Sequence, residues 1–192
     1  MKQGHQIFQE KSYDDLYLEI ERKQGKLPME VLYLPRPASD YRGCYPLHFE
    51  KHVERLLGTT NYVHFFAGKA TTGYRIDLNK NLNVDKIADV QDLSDILDNS
   101  FDGGMADPPY DKEFANTLYD CDYPEFTLWT KELVRIVKPG GRIGIMQNYI
   151  VPRLPGCEYE KLVIIFLRVK QFPKIVTIQR KLPITKLNEG DA

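Results

Sequence analysis

Apolar positions follow two different rhythms on either side of Gly58. Before it the spacing is helical. Leu16, Ile20 and the Tyr13/Tyr17 pair predict a short surface helix over 13–23, which Gly25 and Pro28 break. Pro and Gly punctuate residues 33–43 closely enough to predict a loop. Pro46 then opens a helix to about Leu57. Leu47, Val53, Leu56 and Leu57 form its buried face, and Gly58 is its stop.

After Gly58 the apolar residues come in short runs separated by turns. Tyr62–Phe66 predicts a strand ending in Ala67-Gly68, Tyr74–Leu78 a second and Ile87–Asp89 a brief third, followed by a short acidic helix over 92–97. Phe101–Ala106 is a fourth strand, ending at Asp107. Residues 124–137 form an amphipathic helix with Phe126, Trp129, Leu133 and Ile136 on one side, stopped by Lys138-Pro-Gly-Gly141. Arg142–Met146 is a fifth strand. Leu162–Val169 and Ile175–Gln179 pair as a closing hairpin around Phe172-Pro173. Strands alternating with helices, then a terminal hairpin, predict an α/β sheet, mostly parallel with an antiparallel edge.

Ligands of such sheets bind beyond the carboxyl ends of the strands. The residues there are Gly68, Asp77, Asp89, Asp107 and Gln147-Asn148, so three carboxylates and a glycine turn converge on one rim. Asp is also common in turns and caps, and for Asp77 and Asp89 taken singly that plainer reading is equally good.

The 192 residues suffice for one domain with a full core, divided here into an N-terminal extension or lid (1–43), a core (44–182) and a flexible tail (183–192). With 42% hydrophobic and 28% charged residues the composition is that of a soluble globular protein, and no apolar run reaches a membrane span. A net charge of −1 gives no global sign of nucleic-acid binding. Cys44, Cys121 and Cys157 have neither zinc nor disulfide spacing and read as free thiols of a cytoplasmic protein. His48 and His52 are four apart, but Glu50 between them is misplaced for a zinc-protease motif and no third ligand is visible, so no metal is expected.

Asp107-Pro108-Pro109-Tyr110 is the sharpest motif, and it falls directly after a predicted strand. An aromatic amino group is a poor nucleophile because its lone pair is delocalised into the ring. Asp107 and the Pro108 carbonyl can accept its two hydrogens and favour a pyramidal nitrogen aimed at an electrophilic methyl group. Two prolines fix these acceptors in advance. Tyr110 offers a flat face for a planar base.

The tetrapeptide resembles the catalytic motif of the S-adenosylmethionine-dependent amino-methyltransferases that modify adenine N6 or cytosine N4 in DNA. That resemblance implies a Rossmann-like class I methyltransferase sheet. It covers about 41–181, with Asp-Pro-Pro-Tyr as its individually specific motif. It implies cofactor contacts from Phe65, Phe66, Ala67 and Gly68 around the first strand's turn. Asp77 and the adjacent Leu78 would serve the ribose end, Asp89 and Val90 the adenine, and Tyr45-Pro46 and Asp107 the methionine end. Lys138-Pro-Gly-Gly141 resembles the helix-to-strand turn of the wider fold. The chain departs from the family in two respects. Only 67–73 separates the first two strands, without a Gly-x-Gly spacing and with no room for the usual helix, as in compact phage- and prokaryote-type relatives. There is also no room for a target-recognition domain, so sequence specificity must come from loops or from a partner subunit, or be absent; a partner subunit or a homodimer is the expected assembly.

The expected activity is methyl transfer to an exocyclic amino nitrogen of a nucleic-acid base, adenine N6 in DNA first, the base being flipped out or single-stranded. The alternatives are an RNA base, a protein glutamine or a non-catalytic methyltransferase-like binding subunit. Asp at 107, where glutamine-modifying relatives have Asn, argues against the protein substrate. From Lys161 to Lys186 there are seven Lys or Arg residues and no acid. Of these, Arg168, Lys170, Lys174, Arg180 and Lys181 are candidates to track a phosphate backbone beside the active site, with Arg36, Arg42 and Lys51 adding to that surface if they fold onto the same side. The plainer reading is a charged edge hairpin guarding against aggregation. Trp129 reads most simply as core.

Overall fold

The computed structural model describes residues 27–37, 44–110, 115, 122–167 and 172–183. The helix expected over 13–23 lies outside them, as do Arg42, Cys121, Arg168 and Lys170. Eight strands form one sheet: β1 (Met29–Leu34), β2 (Tyr62–Phe65), β3 (Tyr74–Asp77), β4 (Lys86–Ile87), β5 (Phe101–Ala106), β6 (Val137–Gln147), β7 (Cys157–Leu167) and β8 (Lys174–Lys181). Their spatial order is β1-β7-β8-β6-β5-β2-β3-β4. Only β8 is antiparallel to its neighbours β6 and β7; every other pairing is parallel. The mixed sheet with an antiparallel C-terminal hairpin is therefore as expected.

Two helices are present among the described residues, one on each face. α1 (Glu50–Leu57) lays Val53, Leu56 and Leu57 against Tyr62, Met105, Met146 and Ile178. α2 (Phe126–Ile136) lays Trp129, Leu133 and Ile136 against Val63, Phe65, Ile143 and Ile145 on the other face. Alternation along the strands divides the residues: Met105 and Met146 point one way, Ala106 and Ile145 the other. Gly104 on β5 lets α2 approach, since a Cβ there would lie 2.7 Å from the Leu133 Cδ1. None of the described helices is long and apolar enough to cross a membrane.

Five local expectations are corrected. Tyr33 and Leu34 are not loop but the end of β1, which pairs with β7 from Met29↔Leu162 to Leu34↔Leu167. The sheet thus recruits residues assigned to an extension ahead of 44, and Glu30 ties β1 to Arg55 of α1 and to Lys161 of β7. No helix forms over 92–97. Those turns are clasped by Arg135, which donates to the carbonyls of Leu93 (2.8 Å) and Ile96 (2.7 Å) and to Asp98 (2.6 Å). α1 begins at Glu50, with His48 left-handed (φ 72) ahead of it, so His48 and His52 do not share a helix face. α2 passes directly into β6 at Val137, and 138–141 loop out within that strand instead of forming a separate turn. β7 starts at Cys157, five residues earlier than its apolar run, with a bulge at Glu160 whose carboxylate accepts from Arg142 and Arg180.

The short β2–β3 connection spans 66–73, and the two strands are direct parallel neighbours all the same. Side chains take over the work of a crossover helix, which such a link normally contains. The Glu50 carboxylate accepts from the Thr71 N–H (2.6 Å) and the Thr72 hydroxyl (3.2 Å), and the Tyr62 hydroxyl donates to Thr72 (2.6 Å). Gly73 closes the turn at φ +75 against the Tyr62 ring, with no space for a Cβ.

Candidate active site

The carboxyl ends of β2, β3, β4 and β5 open onto one rim, and each delivers one of the expected groups. β3 ends in Asp77. Its carboxylate accepts from the Gly68 N–H (2.8 Å) and the Asn79 N–H (2.9 Å), which fixes the glycine turn after β2. That turn needs left-handed backbone at Phe66 and Gly68, both φ 54, and the turned Phe66 ring packs edge-on against Trp129. Each Asp77 oxygen accepts one internal bond and keeps a lone pair for a further donor. Beside it Leu78 is exposed although apolar. After β4, Asp89 is exposed and turns back to accept from Gln91, while Val90 is buried in the core. Carboxylates beside exposed apolar carbons fit a nucleoside: hydroxyl and amino donors for the acids, a flat ring for Leu78. At the end of β6, Gln147 is buried with its amide oxygen unpartnered.

Asp107 follows β5 directly. Burial pushes its carboxyl up to about 6, against the opposing pull of Lys174. Tyr110 folds back, and its hydroxyl donates to the Asp107 Oδ1 at 3.1 Å. Pro108 is buried between them. The Lys174 Nζ sits 4.1 Å from the centre of the Tyr110 ring.

Tyr45 and His64 form the other wall. The Tyr45 ring stacks on His64 at 5.3 Å and lies close enough to Asp107 for their charges to couple. The His64 Nδ1 faces the Thr72 carbonyl at 3.4 Å, so that nitrogen carries the proton, and Nε2 accepts from the Tyr45 hydroxyl at 2.6 Å. Burial drives the His64 ring down to about 4, so it is neutral at ordinary pH. Desolvation also holds the Tyr45 phenol well above its usual range. Pro46 is buried and its carbonyl starts the turn into α1. Phe65 and Ala67 are buried in or beside the core, supporting the rim from beneath.

The basic candidates divide. Lys174 lies in the site. Arg180 and Lys181 lie at the far end of β8, where Arg180 is bound to Glu160 and Lys181 donates to the Val137 carbonyl (2.6 Å). They do not join a surface beside Asp107. Cys44 and Cys157 are free thiols, with Cys157 buried. His64 and Lys174 are site residues whose roles were missed. A histidine inside an aromatic strand was a usable signal for the first. The second stood out only as one of a basic stretch that could track a phosphate backbone beside the active site, and its place against Tyr110 and Asp107 follows from the antiparallel return of β8.

No protein-family model and no curated protein sequence matches the chain. Solved structures do. The TrmN structure from Thermus thermophilus matches at TM-score 0.50 and 18% identity, over 74% of this chain and 51% of that one, so this chain spans about half its length. A methyltransferase seen in complex with the Trm112 methyltransferase activator of Haloferax volcanii matches at TM-score 0.50 and 14% identity, over 71% of this chain and 90% of the other. At these identities the likeness establishes the fold, which is that of Rossmann-like methyltransferases.

Proposed function

We propose that this chain is an S-adenosylmethionine-dependent methyltransferase acting on an exocyclic amino nitrogen of a nucleic-acid base, adenine N6 in DNA first. The observation that carries the reading is Asp107-Pro108-Pro109-Tyr110 at the carboxyl end of β5, with its carboxyl half-buried and its tyrosine folded beside it. The bound cofactor supplies a sulfonium methyl group. Asp77 would hold the ribose hydroxyls through its remaining lone pairs, Asp89 would take the adenine amino group beside the exposed Leu78, and the Gly68 turn would give the methionine end access to backbone. Asp107 and the Pro108 carbonyl would accept the two hydrogens of the incoming amine and so favour a pyramidal nitrogen with its lone pair free for methylation. Asp107, ionised above about pH 6, need not act as a strong base, because the extra proton of the methylated amine leaves after transfer. Tyr110 stacks the base. A partner subunit is part of the proposal, by analogy with the neighbour seen with its activator.

Calorimetric titration with S-adenosylmethionine and S-adenosylhomocysteine tests the pocket, and radiolabelled transfer to DNA, RNA and protein acceptors tests the chemistry. Micromolar affinity, on the order of −8 kcal/mol, is expected. Asp77→Ala should weaken it, while Asp107→Ala should abolish transfer and leave binding intact. Transfer that survives Asp107→Ala would overturn the mechanism.

A further inference from the structure

Lys174 is the first residue of β8 and stands across from Ile165 of β7. Its chain continues the face that carries Val176 and Ile178, the same face onto which Met105 and then Asp107 project from β5. The antiparallel hairpin therefore lifts a cation from the C-terminal end of the chain to the rim that the parallel strands build. Its ammonium lies 4.1 Å from the Tyr110 ring centre, within the range of a cation–π contact. Tyr110 is in turn bound to Asp107 through its hydroxyl. One cation, one ring and one carboxylate thus form a connected set, with Tyr110 in the middle. Desolvation lowers the Lys174 ammonium while Asp107 opposes that shift, and Lys174 in turn opposes the rise that burial imposes on Asp107.

We propose that Lys174 is a positioning residue for the Asp107–Tyr110 pair, holding the tyrosine ring from one face and lending its positive charge to the Asp107 carboxylate. This rests on the methyltransferase reading above. Among the described residues, the groups around Asp107 are the Tyr110 phenol on its own loop, the Tyr45 phenol from the segment before α1, and Lys174 from β8. Of these Lys174 is the only cation, and its removal leaves the carboxyl with burial and two phenols.

The test compares wild type, Lys174→Met and Lys174→Arg, with thermal melts to confirm that each folds. The first readout is an NMR titration of the Asp107 carboxyl carbon, identified by its absence in Asp107→Asn. Asp107 should titrate higher in Lys174→Met by about one pH unit, within the range a neighbouring charge exerts, and near the wild-type value in Lys174→Arg. The second is the pH profile of kcat/KM for methyl transfer to a single-stranded DNA oligonucleotide. Its acid limb should move up by the same amount in Lys174→Met, with KM for the oligonucleotide raised and cofactor affinity unchanged. An Asp107 titration that stays in place in Lys174→Met overturns the inference, whatever the activity. If Lys174 instead serves as a phosphate contact, Lys174→Met will flatten the salt dependence of DNA binding and leave the titration unmoved. Wild type that transfers methyl groups to no acceptor would refute the methyltransferase reading, and the NMR titration would still decide the Lys174–Asp107 coupling.

Discussion

Gly73→Ala probes the device that lets β2 and β3 be parallel neighbours across so short a link. The substitution does two things at once. It places a side chain at φ +75, and it puts a Cβ 2.5, 2.8 and 2.9 Å from the Tyr62 Cε2, Cζ and Cδ2 atoms. The first costs about 1–2 kcal/mol for an L-residue in left-handed backbone. The second is overpacking, about 1–3 kcal/mol. Tyr62 cannot retreat cheaply, since its ring is buried and its hydroxyl is bound to Thr72. Together they give about 2–5 kcal/mol, or roughly 2–4 °C of melting temperature per kcal/mol in a domain of this size. Gly140→Ala is the internal control: its φ is +84, but nothing lies within 4 Å of the added Cβ. It should show the backbone cost alone. Thermal melts by circular dichroism at neutral pH compare the two. If Gly73→Ala melts within a degree of Gly140→Ala, the ring yields freely and does not pin the turn.

Three more outcomes are expected. Asp107→Asn should stabilise the fold at neutral pH. The folded carboxyl titrates near 6, above its unfolded value, so its ionised form is disfavoured above that pH and the handicap vanishes below about 4. Discounted for partial exposure, the gain is about 1–2 kcal/mol, and a melting temperature below wild type would contradict it. His64 behaves in the opposite sense. Folded near 4, it refuses a proton that the unfolded chain accepts below about 6.5, so up to about 3 kcal/mol of stability is lost as pH falls through that window. Urea midpoints at neutral pH and at pH near 4.5 should lie closer together in His64→Gln than in wild type, and identical acid sensitivity in both proteins would remove His64 as the cause. Arg135→Met should strand the Leu93 and Ile96 carbonyls and cost about 1–3 kcal/mol, with faster amide exchange confined to 90–98; unchanged exchange there would show that the clasp is not needed.

Elements whose signal is local could be read from the chain. The run Phe101–Ala106, the apolar stripe of α2 and the turn at Phe172-Pro173 each declare themselves within a dozen residues, and the observed bounds lie close to the expected ones. β1 does not, because Met29–Leu34 is short, sits near Pro28 and Pro35, and becomes a strand only through a partner far along the chain. The expected helix over 92–97 failed for the same kind of reason: a single arginine from α2 offers those carbonyls better partners than a helix would. At the site, Asp77, Asp89 and Asp107 were legible because strand ends define the rim. The pairing of Tyr45 with His64 and of Lys174 with Tyr110 crosses from one element to another, and no spacing encodes it.

The pairing of β1 with β7 has a consequence for synthesis. A strand at Met29–Leu34 waits for the stretch it pairs with, Leu162–Leu167, which begins more than 130 residues after Met29. At about 5–20 residues per second that interval is roughly 7–27 s. Throughout it, a segment bearing Met29, Val31 and Tyr33 is committed to neither side of a finished sheet, and even in the complete fold these three stay exposed. An unpaired apolar strand is a template for foreign strands. Glu30, the second residue of that strand, is engaged by Arg55 of the earlier helix, a contact that would guard the strand before β7 is made. Yield of soluble protein, more than the stability of the finished molecule, is where a change at Glu30 will be felt.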